Sequence, residues 1–318
     1  MRRLLLVIVP VVVASCSWSD LDAEFLAAMP QRADLKVIPP TQVGQQQQGL
    51  GSSDDLGTRQ DELQSEKFQG LNDTAAGLNT MIDGLTGGLD TVRQVPPSLR
   101  EPERRVWGPY PDKDHPGLDI QVAIVHGPDA YAYSAEWRKQ GTQDGFEAVI
   151  TGNFKGEKAK GGSGEFTLDM DKARSIGVAR ADDPGSKDWR TLTLTYDHGA
   201  EATDVWLTQL LVAGAQLDYH HSRGKDGSGS MAYKLDKEDL FSKWTLLVQA
   251  RWLASRAGVL SAIAKNERDP LAPVGHYAEC WSDSLDLVYR SQDYADQQCA
   301  RPLECEVGEV GNCAIAPP

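Results

Sequence analysis

Positive charge is what this sequence is short of: 32 Lys and Arg face 46 Asp and Glu in 318 residues, a formal net charge of −14. Nucleic-acid grooves and anionic lipid surfaces are met by clustered cations, so neither is a natural partner for the chain as a whole. Long apolar runs are missing too. Leu4 to Val13 is ten residues, whereas a membrane-spanning helix needs about twenty. There is also no G-x-S-x-G elbow, no H-E-x-x-H, no phosphate-binding loop and no G-x-G-x-x-G opening a helix, so the common hydrolase, zinc-protease and nucleotide signals are absent. The expectation is a non-enzymatic protein with no cofactor and no metal.

What is present begins at the N-terminus. Met1-Arg2-Arg3 is cationic, the apolar run contains Pro10, and small residues lead to a cysteine at Val13-Ala14-Ser15-Cys16. This is the build of a cleaved export signal. The same four residues resemble the lipobox of bacterial lipoproteins. That resemblance implies removal of residues 1–15, a diacylglycerol on the Cys16 thiol, an acyl chain such as palmitate on its amine, and membrane contact through that lipid. Ser17 rather than Asp follows, which by the same resemblance implies delivery to the outer membrane of the cell envelope, on either face.

Export places the remaining cysteines, Cys280, Cys299, Cys305 and Cys313, in an oxidising compartment, where an even number predicts two disulfides. Their spacing, C-x18-C-x5-C-x7-C, has no CxxC and only His276 nearby, which argues against zinc. Three pairings are possible. Cys280 with Cys299 and Cys305 with Cys313 is preferred, clipping an acidic tail over 292–318 onto the body.

All Phe, Trp and Tyr residues except Trp18, Phe25 and Phe68 fall between Trp107 and Tyr294, so the packed domain is expected to start near 105. Residues 16–57, with Pro39-Pro40, Gln45 to Gln48 and Gly49-Leu50-Gly51-Ser52-Ser53, have linker composition and read as a tether from the lipid. Over 58–95, Leu71, Leu78, Ile82, Leu85, Leu89 and Val92 recur at helical spacing, predicting one long amphipathic helix ended by Pro96-Pro97. Glycines at 70, 77 and 84 weaken it, so it needs a surface to lie against.

From Asp119 the period changes to two. Ile120, Val122 and Ile124, then Tyr131, Tyr133, Ala135 and Trp137, alternate with other residues, and eight further runs follow as far as Tyr289. Short polar turns such as Lys139-Gln140-Gly141-Thr142 make neighbouring strands antiparallel. A repeat supports this reading: Gly162-Ser163-Gly164, Phe166, Leu168 and Met170-Asp171-Lys172 match Gly227-Ser228-Gly229, Met231, Tyr233 and Leu235-Asp236-Lys237, with a weaker copy from Ala257-Gly258. The fold predicted over 105–291 is mainly β, an antiparallel meander curled into a barrel or half-barrel.

Few side chains suggest chemistry. His220 and His221 are adjacent on a strand and point to opposite faces, so they cannot share one ion. Asp169, Asp171 and Asp182-Asp183 lack the spacing of a calcium loop. Trp107-Gly108-Pro109-Tyr110-Pro111, Trp244 and Trp252 read as packing aromatics. Glu279-Cys280-Trp281-Ser282-Asp283 resembles a segment of uncharacterised β-rich envelope lipoproteins, which implies no activity. Two functions remain: binding of an apolar or extended ligand in a curved sheet, or a structural or protein-interaction module of the envelope.

Overall fold

The computed structural model describes residues 18–27, 32–40, 66–157, 161–180, 187–211, 215–238, 243–268, 275–293 and 306–317. Among them one sheet dominates, with fifteen antiparallel strands in which every strand pairs only with its neighbours in sequence. In order they are β1 Leu99–Glu101, β2 Arg104–Pro111, β3 Leu118–His126, β4 Tyr131–Lys139, β5 Glu147–Glu157, β6 Gly161–Asp169, β7 Trp189–His198, β8 Ala202–Leu211, β9 Gln216–Gly224, β10 Gly229–Glu238, β11 Lys243–Trp252, β12 Gly258–Asn266, β13 Gly275–Trp281, β14 Leu287–Asp293 and β15 Glu306–Gly308. The meander is thus present and extends beyond 105–291 at both ends. It does not close into the expected barrel: β1 and β15 are its two edges and do not pair.

The N-terminal region departs from expectation. Within the stretch read as tether it carries α1 Trp18–Ala27 and α2 Arg32–Leu35, α3 Glu66–Val92 falls inside the helix expected over 58–95, and residues 41–65 lie outside the described residues. Phe25, Leu35 and Val37, all in the stretch read as tether, are buried with Leu71, Ala75, Leu78 and Ile82 of α3 in the same cluster as the sheet's apolar face. Asn79 secures this packing by bonding both ways to Val37, accepting from its N–H at 2.9 Å and donating to its C=O at 2.8 Å. A stretch poor in large apolar residues was misread because three well-placed ones suffice when a helix and a sheet supply the rest.

Across the sheet, opposed residues form rows on the buried face. One runs Tyr133, Gly152, Phe166, Leu194, Leu207, Tyr219, Tyr233, Val248, Ala262, Tyr277. Glycines occur in these rows where an aromatic ring from a neighbouring strand occupies the space a Cβ would take: Tyr133 at Gly152, Tyr196 at Gly164, Trp252 at Gly229 and Trp281 at Gly258. This explains the repeat. Gly164 and Gly229 occupy the same position in their copies, and Gly258 carries the third. The copies then diverge. After Leu168 the first becomes helix α4, Met170–Ile176, capped by the Asp169 side chain and closed by left-handed Gly177, whereas Asp236-Lys237 stays in strand.

The disulfide is Cys280–Cys313, not the expected Cys280–Cys299. Strand β15 turns back onto β14, with Tyr289 opposite Gly308, and this brings Cys313 to the fully buried Cys280. With Cys313 used, the expected Cys305–Cys313 bridge is also replaced. Cys299 and Cys305, like Cys16, lie outside the described residues.

Candidate functional site

Strand alternation sets Ser230, Ala232 and Lys234 of β10 beside Arg251, Gln249 and Leu247 of β11 and Val259, Ser261 and Ile263 of β12, all on the face opposite the core. Two grooves open there. One, of about 380 Å³, is lined mainly by His220, Ser230, Ala232, Gln249, Arg251, Val259 and Ser261. The other, of about 500 Å³, is lined by Lys234, Thr245, Leu247, Ile263, Lys265 and Glu267. The Ala232–Gln249–Ser261 row borders the Lys234–Leu247–Ile263 row, so the grooves adjoin end to end as one trough along β11.

The trough has an apolar middle and charged ends. Leu247 and Ile263 form the middle. At one end Lys234 pairs with Asp236 and Lys265 with Glu267, the latter at 2.7 Å. The Lys234 ammonium, with the Thr245 hydroxyl at 2.7 Å, holds the Asp236 carboxyl below its usual range. At the other end Arg251 is exposed and has no carboxylate partner among the described residues. Beside it the His220 ring stacks on Trp206, centroids 5.0 Å apart and planes 7° apart, while its Nε2 meets Asp204 Oδ1 at 3.0 Å. Trp206 is 40% exposed, a large apolar surface left in water.

On the buried face the large side chains are enclosed. Trp107, Trp281, Tyr196 and Phe166 are nearly inaccessible. Polar tips are nonetheless enclosed there: Tyr277 Oη donates to the buried Glu279, and Tyr219 Oη and His221 Nε2 have no partner among the described residues. His221 Nδ1 lies 3.1 Å from the Ser230 carbonyl and so carries the proton. Burial lowers its pKa to about 4.

That shift has a pH consequence. The unfolded chain takes up this proton near pH 6.5 and the folded chain only near 4, so the unfolded state holds more protons in between and stability falls as pH drops through that window. The loss approaches about 3 kcal/mol at the bottom of the window. Urea melts at pH 7 and pH 4.5 should show it, and His221→Leu should flatten the dependence. An unchanged slope in that variant would remove His221 as its source.

The sequence candidates are placed as follows. His220 and His221 lie on opposite faces, the first half-exposed and the second buried. Asp169 caps α4 and Asp171 pairs with Arg174 and Arg190, while Asp182 and Asp183 lie outside the described residues. No group of His, Cys, Asp and Glu able to hold a metal ion occurs among the described residues. Trp107 and Trp252 are core, but Trp244 is 42% exposed and Tyr110 40% exposed, against expectation. Of the trough residues, His220 alone was a sequence candidate. Their signal was available: Leu247 and Ile263 stand out of phase with the buried Val248 and with Ala262. No protein-family model, curated protein or solved structure matches the chain.

Proposed function

We propose that this is a non-enzymatic, lipid-anchored protein of the outer membrane that holds an extended ligand along the outer face of β10–β12. The observation that carries the proposal is the trough itself, with an apolar middle at Leu247 and Ile263 and a cation, Arg251, at one end. Such a site suits an extended amphipathic molecule with an anionic end, its body on Leu247 and Ile263 and its charge on Arg251. Local concavity of the sheet, the half-barrel of the sequence reading, belongs to this proposal, and two adjoining grooves on one face support it. The lipid anchor is supported by Val13-Ala14-Ser15-Cys16.

The exposed Trp206 stacked on His220 favours a second reading, a protein partner, since exposed aromatics anchor interfaces.

Native mass spectrometry of residues 17–318, secreted without lipid and purified without detergent, tests both. A bound small molecule that disappears in Leu247→Glu with Ile263→Glu, at unchanged melting temperature, is the expected result. An empty chain, or bound mass indifferent to those substitutions, overturns the ligand reading, and loss of a co-purifying protein in Trp206→Ala would favour the second.

A further inference from the structure

We infer that the body stands on the bilayer by its β1 edge, with α1 as a strut that fixes its direction. The inference rests on the lipid at Cys16. Helix α1 crosses the first strands: Phe25 packs on Tyr131 at 5.5 Å between centroids, and Glu24 accepts from Tyr131 Oη of β4. About one turn earlier, Asp22 accepts from Arg105 Nε of β2 at 2.7 Å and from Arg100 Nε of β1 at 3.0 Å. Toward its N-terminus the helix therefore passes from contacts with β4 to contacts with β2 and β1, and its first residue lies about 6 Å beyond Asp22 along the helix.

Chain connectivity then limits where the lipid emerges. Asp22 to Trp18 is about 6 Å at the helical rise, and the two residues back to Cys16 add at most about 7 Å. The strut is held firmly. Arg105 is 1% exposed, lies 4.5 Å over the Phe25 ring and bonds to Asp22, so moving α1 would strand a buried charge.

The surface reached by this route suits a lipid interface. Val95 is 38% exposed and Leu99 41% exposed, with exposed Pro96 between them. At this edge the accessible Arg93, Arg100 and Arg104 offset Glu101 and Glu103, while Arg105 is buried on Asp22, so the chain's acidic excess is absent here. An uncovered edge strand invites pairing with other chains, and a bilayer would cover it. The trough lies around β11, ten strand spacings from β1, about 48 Å along the sheet. The ligand site is thereby carried away from the membrane.

The test is hydrogen exchange on the mature, lipidated full chain in vesicles of phosphatidylethanolamine and phosphatidylglycerol, against the Cys16→Ala chain with the same vesicles. Amides of 94–101 should exchange at least about threefold more slowly on vesicles, with those of 243–252 unchanged. The protection should be lost in Asp22→Arg and reduced in Leu99→Asp, whose exposed site leaves folding intact. Unchanged exchange in 94–101 on lipidated, vesicle-bound protein overturns the orientation. So does equal protection without vesicles, which would mark pairing between two copies. The intact mass separates the two readings: a chain lacking lipid on Cys16 overturns the anchor itself.

Discussion

Gly164→Val is expected to cost about 3 kcal/mol or more, among the largest effects of any single substitution in the sheet. A Cβ at Gly164 would overlap the Tyr196 ring and stand 2.6 Å from the Asn153 carbonyl oxygen. The ring cannot retreat easily, because Tyr196 is 1% exposed and belongs to the buried core cluster. Melting of the single variants and of Gly164→Val combined with Tyr196→Ala gives the check. Removing the ring vacates the space, so the two costs should combine to less than their sum. Additive costs would show that the ring is not what excludes a side chain there.

Reducing the disulfide, or Cys313→Ser, is expected to remove about 3 to 4 kcal/mol, from the entropy of a loop with its ends 33 residues apart. The element that depends on it is β15, three residues long and paired with β14 through Tyr289, Arg290 and Ser291. Urea titrations with and without reductant measure the loss, and proteolysis should then begin in the tail. Peptide mapping under non-reducing conditions supplies an independent check. A Cys280–Cys299 peptide would contradict the observed pairing, and unchanged stability in reductant would show that the bridge contributes nothing.

The strands from Leu118 to Trp252 were legible because half of each strand is buried, and alternation at Tyr131, Tyr133, Ala135 and Trp137 therefore reports directly on burial. Strand β2 was not, since Pro109 and Pro111 make the segment look like a stiff loop; the proline-bearing stretch lies beside a register shift between Trp107 and Tyr110. Helix α4 was missed although Asp169 and Gly177 are ordinary start and stop signals, because the matching repeat suggested that the strand simply ended. The disulfide pairing depends on where β15 folds back, a contact between distant strands that spacing does not encode. The trough was hidden for another reason. It is formed by residues three strands wide that are far apart in sequence, and only the register brings Lys234, Leu247 and Ile263 together.

Because every strand pairs only with its sequence neighbours, no contact in the ladder depends on the total number of strands. Inserting a hairpin leaves the partners on either side in the same order and orientation, whereas a single added strand would reverse the direction of everything after it. The offset between Gly164 and Gly229 spans four strands and that between Gly229 and Gly258 two, both even. Chain length in this architecture is therefore counted in pairs of strands. Growth or loss of such a pair would change the span between the two edges by about 10 Å while leaving each ring over its own glycine.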